Sequence, residues 1–167
     1  MSLGVGRRSF YTDVIQKSPL FHTTNMVNSL DLLFPAFKAK VEALMAESAA
    51  AGQPLKVLET YRSNERQLQL FNQHATKLKN VGVHHYGLAC DIVKLINGQP
   101  SFEGDYTFLC RLATKHGLIS GADWGTPKAV HTFKDMDHVQ FVSVKDQNKL
   151  FNGSWYPDAN YDPYQNL

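Results

Sequence analysis

Val83-His84-His85-Tyr86-Gly87-Leu88-Ala89-Cys90-Asp91-Ile92-Val93-Lys94-Leu95-Ile96 joins a histidine-bearing segment to an apolar one, and the change of character falls at Gly87. Leu88 to Ile96 is apolar and β-prone apart from Asp91 and Lys94, and Asn97-Gly98 behind it is a strong turn signal, so the stretch reads as a strand. On that strand Ala89 and Asp91 face one way while Cys90 and Ile92 face the other, into the core. An aspartate so flanked is half-buried and needs a partner. A salt bridge to an arginine or lysine satisfies it as well as a metal does on this reading. The odd spacing from His84 to Asp91 would send the two to opposite faces of a flat strand. Gly87, free to take positive φ, lets the chain bend between a loop carrying His84 and the strand carrying Asp91.

Outward from this stretch the apolar spacing alternates between helix and strand. Phe37, Val41, Leu44, Met45 and Ala49 recur at helical intervals between Pro35 and Ala51, and Gly52 is a helix stop. Pro54 to Thr60 reads as a short strand, and Ser63 or Asn64 caps a second helix through Gln67, Leu68, Leu70 and Phe71. Asp105 caps a third helix through Phe108, Leu109, Leu112 and Ala113, stopped at Gly117. His138 to Val144 alternates as a strand. Residues 1 to about 28 read as an irregular leader packed on the domain, and the tail from Asn152, rich in Tyr, Pro, Asp and Asn, as a surface wrap. The expectation is a small single α+β domain spanning 1–167, with a short antiparallel sheet and about three helices.

The chain has 167 residues, 43% of them hydrophobic and 19% charged, with a formal net charge of +2. That is the size of one domain. The scattered cations imply neither nucleic acid nor an anionic membrane as partner. No apolar run approaches the ~20 residues that span a bilayer. Arg7-Arg8-Ser9-Phe10 has the twin arginines of an export signal, but no apolar stretch follows, so synthesis in the cytoplasm without a signal peptide is expected. Cys90 and Cys110 are too few for a disulfide framework and read as buried small hydrophobes. A monomer is the default.

Chemistry concentrates in two clusters, His84 to Asp91 and Asp135-Met136-Asp137-His138. Hydrolytic zinc sites take three His or carboxylate ligands and leave a position for water, which His84, Asp91 and His138 would complete. Asp135 is the candidate general base. Asp137, as the immediate neighbour of His138 on an extended segment, is expected to point away into solvent or to play a supporting part.

The chain resembles a known family, the VanY-type D-alanyl-D-alanine carboxypeptidases and the related L-alanyl-D-glutamate endopeptidases, many of them phage endolysins. Thr60-Tyr61-Arg62-Ser63 followed by Gln67 is similar to the family's G-Y-R-S-x-x-x-Q segment. His84-x-x-Gly87-x-Ala89-x-Asp91 is similar to S-x-H-x-x-G-x-A-x-D, and Asp123-Trp124 with Asp135-x-x-His138 to D-W and D-x-x-H. The three cover about residues 30–145 in the family's order. The resemblance implies zinc held by His84, Asp91 and His138 at the sheet edge, with Asp135 as catalytic base. It also implies that Arg62 reaches the substrate, with Tyr61, Ser63, Gln67 and Trp124 at the substrate cleft. An arginine at a strand end can stabilise an oxyanion, a donor role of up to ~3–4 kcal/mol. Two positions depart from the pattern: Gly82 stands for the family's serine, and Val139 for the phenylalanine after the last histidine.

What the resemblance implies functionally is a peptidase of bacterial peptidoglycan stem peptides, first of the L-alanyl-D-glutamate endopeptidase type and second of the D-alanyl-D-alanine carboxypeptidase type. It would act on the cell wall after release or delivery. A non-catalytic zinc or wall-binding module is the rival class, and Asp135 argues against it, because a binding module needs no carboxylate beside its metal.

Overall fold

The computed structural model describes residues 10–79, 82–123, 135–158 and 161. Its elements in order are helix α1 (Phe10–Asp13), α2 (Pro35–Ala50), strand β1 (Leu55–Glu59), α3 (Asn64–Asn72), β2 (Ala89–Ile96), β3 (Gln99–Ser101), α4 (Thr107–Lys115), β4 (Ile119–Ser120), β5 (His138–Gln140) and α5 (Val144–Phe151). This is an α+β fold whose strand pairs are all antiparallel, in the order β1-β2-β5-β4 with β3 also on β2.

β2 is the spine of the sheet. Lys94 pairs with both Leu55 and Ser101, and Asp91 with both Glu59 and His138, so β1 lines one edge of β2 while β5 and β3 share the other. The β2–β3 turn is Asn97-Gly98, with φ of 53° and 75°. Both values lie in the left-handed region that tight hairpins require of their central pair. Between β1 and β2 the register slips: Val57 faces Ile92, but Glu59 faces Asp91, so Leu58 is one residue too many. Such a bulge re-aims the side chains beyond it.

α2 starts with Pro35 at its first position and buries Phe37, Val41 and Leu44. They join Leu88, Cys90, Ile92, Leu109 and Val139 in one core. Truncating a side chain such as Phe37 to alanine there costs about 3–5 kcal/mol. Gly52, at φ 72°, ends the helix with a left-handed residue. The Asp105 carboxylate accepts the Thr107 amide at 2.7 Å, so α4 begins two residues after it, and Gly117 at φ 69° follows its end. Ahead of β1, the fully buried Ile15 ties the leader to the core, and the Val27 carbonyl accepts the Thr60 amide at 2.7 Å.

Three expectations are corrected. The strand proposed for 138–144 stops at Gln140, because the Ser143 hydroxyl accepts the Asp146 amide at 3.1 Å and starts α5, a helix the alternation hid. Cys90 is buried as expected, but Cys110 is only half-buried and its Sγ lies 3.2 Å from Asp123 Oδ2. Both thiols are free. Of the metal-site candidates, Asp91 and His138 lie on the two central strands, β2 and β5, and not at the sheet edge, while His84 lies on the turn ahead of β2. Among the described residues no helix is long and apolar enough to cross a membrane.

Candidate metal centre and active site

Residues directly opposite one another on neighbouring strands share a face. The pairings Glu59↔Asp91 and Asp91↔His138 therefore set Glu59, Asp91 and His138 in one row across β1, β2 and β5. Without the bulge, Leu58 would stand where Glu59 does. A single helical turn over Val83–Tyr86, closed by Gly87 at φ 64°, delivers His84 to the same place. One ligand atom from each of His84, Asp91 and His138 lies within 4.8 Å of the others, and all three residues are buried.

The hydrogen bonds of the two imidazoles decide which nitrogens are free. His84 Nδ1 lies 2.9 Å from the Thr60 carbonyl oxygen, which only accepts, so Nδ1 carries the proton and Nε2 a lone pair. His138 Nε2 lies 2.9 Å from Gln140 Oε1, while Gln140 Nε2 donates to the Val142 carbonyl at 2.5 Å. The amide is thereby oriented, and His138 turns Nδ1 toward Asp91 Oδ1 at 3.1 Å. His84 Nε2 is buried without a hydrogen-bond partner and faces the same Asp91 oxygen at 3.3 Å. Two lone pairs turned on each other in a buried site suit a cation between them, and a two-histidine, one-carboxylate set is a zinc donor set. The carbonyl and amide behind the imidazoles are the outer partners that fix metal-binding histidines.

Electrostatics agree with that donor set. Burial alone would raise Asp91, but His84, His138 and Arg62 outweigh it and hold the carboxyl well below the usual carboxylate range. Burial opposes the charged form of His138, yet Asp91 and Asp135 raise it above the ordinary histidine value. His85 is different. Burial first, then Arg62 and His84, lower it to about 3, and its Nδ1 accepts the Gly82 amide at 3.2 Å. It is a neutral core histidine, outside the triad.

Around the triad lies a cavity of about 400 Å³, whose walls include Arg62, Arg66, Gln67, Asp135, Asp137 and Gln140. Arg62 is nearly buried: its Nη2 donates to Glu59 Oε2 at 2.8 Å and to Asp91 Oδ2 at 3.0 Å, and its Nη1 to Gln67 Oε1 at 3.4 Å. Glu59, only 3% exposed, accepts Arg66 Nε on its other oxygen at 2.8 Å. Asp135 stands at the cavity, and Asp137 shares a hydrogen bond with it. Burial, with Asp91 and Asp135 beside it, pushes Asp137 up to about 8, so it is largely protonated at neutral pH. Of the two expectations for Asp137, the supporting part fits and pointing away into solvent is corrected: residues 136 and 137 form a bend before β5, where strand alternation does not apply.

Of the residues expected at the substrate cleft, Tyr61 is fully buried in the core. Ser63 is the N-cap of α3, its hydroxyl accepting the Arg66 amide at 3.0 Å and donating to the Thr23 carbonyl. Neither lines the cavity. Gln67 does, but its amide is committed to the protein, donating to Leu78 O at 2.5 Å and to Thr76 Oγ1 at 3.3 Å. It holds the 76–78 loop as a cavity wall. Trp124 lies outside the described residues. The Gly82 departure has a local reason, since a Cβ there would meet Gln67 Oε1 at 3.1 Å.

Three contributors were not foreseen. Glu59 and Gln140 sit on strand faces shared with ligand candidates, and Gln140, two residues beyond His138, was open to discovery from the period of two. Gly121 had no such signal. A Cβ on it would come within 3.0 Å of Asp135 Cβ and nearer still to the Asp135 carbonyl oxygen.

No family model matches the chain. It is 26% identical over 144 residues to the peptidoglycan L-alanyl-D-glutamate endopeptidase CwlK of Bacillus subtilis, a match spanning 73% of this chain and 83% of that protein. The crystal structure of the L-Ala D-Glu endopeptidase ChiX of Serratia marcescens superposes with a TM-score of 0.55 at 25% identity, covering 71% of this chain and 86% of ChiX. The vancomycin-resistance D,D-pentapeptidase VanY, solved in complex with Zn(II), shares the fold with a TM-score of 0.52 at 16% identity, over 72% of this chain and 78% of VanY. Fold, donor set and relatives together define a zinc metallopeptidase. Within that class it is the VanY-like family that the chain resembles.

Proposed function

We propose that this protein hydrolyses the L-alanyl-D-glutamate bond of peptidoglycan stem peptides. The observation that carries the reading is one cavity in which a buried His-Asp-His triad, the Asp135 carboxylate and the Arg62 guanidinium converge. A wall-binding module needs neither Asp135 nor Arg62 there. The choice of bond is supported by CwlK and ChiX, both L-alanyl-D-glutamate endopeptidases. Zinc held by His84 Nε2, Asp91 and His138 Nδ1 would supply Lewis acidity and lower the pKa of water toward ~7. Asp135 is placed to take a proton as the scissile carbonyl is attacked and to return it to the leaving amine. Asp137 holds Asp135 in place by their shared hydrogen bond. Arg62 is fixed by Glu59 and Asp91, and a spare Nη1 N–H is its donor for the developing oxyanion. The protein would meet this substrate at the cell wall after release or delivery.

Mass spectrometry of purified peptidoglycan digested by the zinc-loaded protein tests the reading. The expected products are stem fragments beginning with D-glutamate, with L-alanine left on the glycan. Release of D-alanine alone would select the carboxypeptidase reaction, and undigested peptidoglycan would refute the peptidase reading.

A further inference from the structure

Two guanidinium groups line the cavity and share one buried anion, yet their donors are used very differently. Arg62 gives Nε and Nη2 to Glu59, Nη2 also to Asp91, and Nη1 to Gln67. Arg66 gives only Nε, to Glu59, and neither of its Nη groups has a partner among the described residues. The side chain is 19% exposed and lines the cavity. Its backbone is fixed in the first turn of α3, where its amide donates to the Ser63 cap. A guanidinium whose Nε is tethered and whose Nη pair is free presents a rigid two-pronged donor, the geometry that binds a carboxylate bidentately.

We propose that Arg66 is a carboxylate receptor that reads the acidic residue on the leaving-group side of the scissile bond. The proposal rests on the peptidase reading above. Glutamate carries two carboxyl groups and the peptide continues through only one of them, so the residue after L-alanine keeps a free carboxylate. Arg62 touches Asp91 of the triad, and Glu59 links Arg62 to Arg66, which places Arg66 on the same wall, one side chain further from the metal. With Arg62 already balanced by Glu59 and Asp91, the free Nη pair of Arg66 is the unpaired cationic donor of this row. The other role open to Arg66, merely neutralising Glu59, uses Nε alone.

Arg66→Gln separates the two roles. The glutamine Nε2 stands at the chain position of the arginine Nε, so the bond to Glu59 is kept while both Nη groups are removed. Two probes are used, L-Ala-D-Glu-L-Lys joined through the γ-carboxyl of glutamate, and the same peptide with the free glutamate carboxyl converted to carboxamide. Binding of each is measured by calorimetry on the zinc-loaded full chain in an Asp135→Ala background, and kcat/KM with Asp135 present. The acid peptide should bind at least about 10-fold tighter than the amide, the scale of a charge-assisted hydrogen bond. Arg66→Gln should abolish that preference and leave the amide unaffected. Should Arg66→Gln fail to fold, Arg66→Lys, which keeps the charge without the fork, should retain only part of the preference. Equal affinity for acid and amide in the Arg66 protein, equal weakening of both peptides by Arg66→Gln, or no binding of the acid peptide overturns the proposal. Selective binding without any cleavage would uphold Arg66 as receptor and refute the endopeptidase reading instead.

Discussion

Gly121→Ala tests whether the placement of Asp135, and not merely its presence, makes this site a catalyst. The added Cβ would lie 3.0 Å from Asp135 Cβ and 3.1 Å from its carbonyl carbon, against the ~3.5–4.0 Å of ordinary carbon contacts. The obstacle is largely backbone, and the Asp135 carbonyl oxygen is nearer still, so the segment carrying Asp135 must retreat by about 1 Å or more. Gly121 is itself buried and bonded to that segment, its carbonyl accepting the Asp135 amide at 3.4 Å. Overpacking of this kind costs about 1–3 kcal/mol of stability, which leaves a folded protein. A catalytic group misplaced by about 1 Å can lose ~100-fold in rate. Steady-state hydrolysis of a stem peptide, with zinc content measured on the same preparation, should show kcat falling ~10- to 100-fold at unchanged zinc. Wild-type kcat in a folded Gly121→Ala protein would refute the argument. Loss of zinc in step with activity would show that the strain reaches His138 and not the base.

Asp135→Ala should keep zinc and fold but lose at least ~100-fold in activity, the scale of general base catalysis, with Asp137→Ala losing far less; peptide hydrolysis and metal analysis check both. His84→Ala, Asp91→Ala and His138→Ala should each lose most of the zinc and His85→Ala should keep it, while a chelator should lower the melting temperature of the wild type. Gln140→Leu removes the acceptor that turns His138 Nδ1 to the triad and should weaken zinc binding ~10- to 100-fold in a chelator competition. Glu59→Gln breaks a buried ion pair at a cost of about 3–5 kcal/mol, a fall in melting temperature of roughly 10 °C. Burial raises Glu59, but Arg62, His84 and Arg66 outweigh it and bring its carboxyl below the ordinary value. Its stabilisation is therefore full above pH ~4.3 and lost as pH falls through the lower folded value, so acid melts should show a steeper loss in wild type than in Glu59→Gln.

The elements that could be read from the chain are those whose signal is local. α2 and β2 were legible because helical and strand periodicity report burial within a single segment, and Gly52 and Gly117 because a left-handed residue after a helix has few substitutes. His84 was told from His85 by the H-x-x-G spacing of the family it resembles, and the structure brings His84 to Asp91 and leaves His85 in the core. α5 was hidden since Val139 and Phe141 alternate with polar neighbours up to the Ser143 cap, and alternation does not announce where pairing ends. Asp137 was misread for a related cause: strand geometry was extended over a bend.

What could not be read depends on contacts between segments far apart in sequence. Gly121 matters through Asp135, fourteen residues away across undescribed chain, and no property of the tripeptide around it reveals that closeness. Glu59 is the stronger case. Strict alternation from Leu55 puts Val57 and Glu59 on one face and Lys56 and Leu58 on the other, with nothing to say which face meets Asp91. Pairing Val57 with Ile92 in an unbroken ladder would set Leu58 against Asp91, an apolar side chain beside a buried carboxylate and no anchor for either arginine. The one-residue bulge exchanges Leu58 for Glu59, and that exchange gives Arg62 and Arg66 a common anion and lets Arg62 reach Asp91. The bulge is thus the step by which a plain antiparallel sheet becomes a site with two fixed guanidinium groups beside its metal triad.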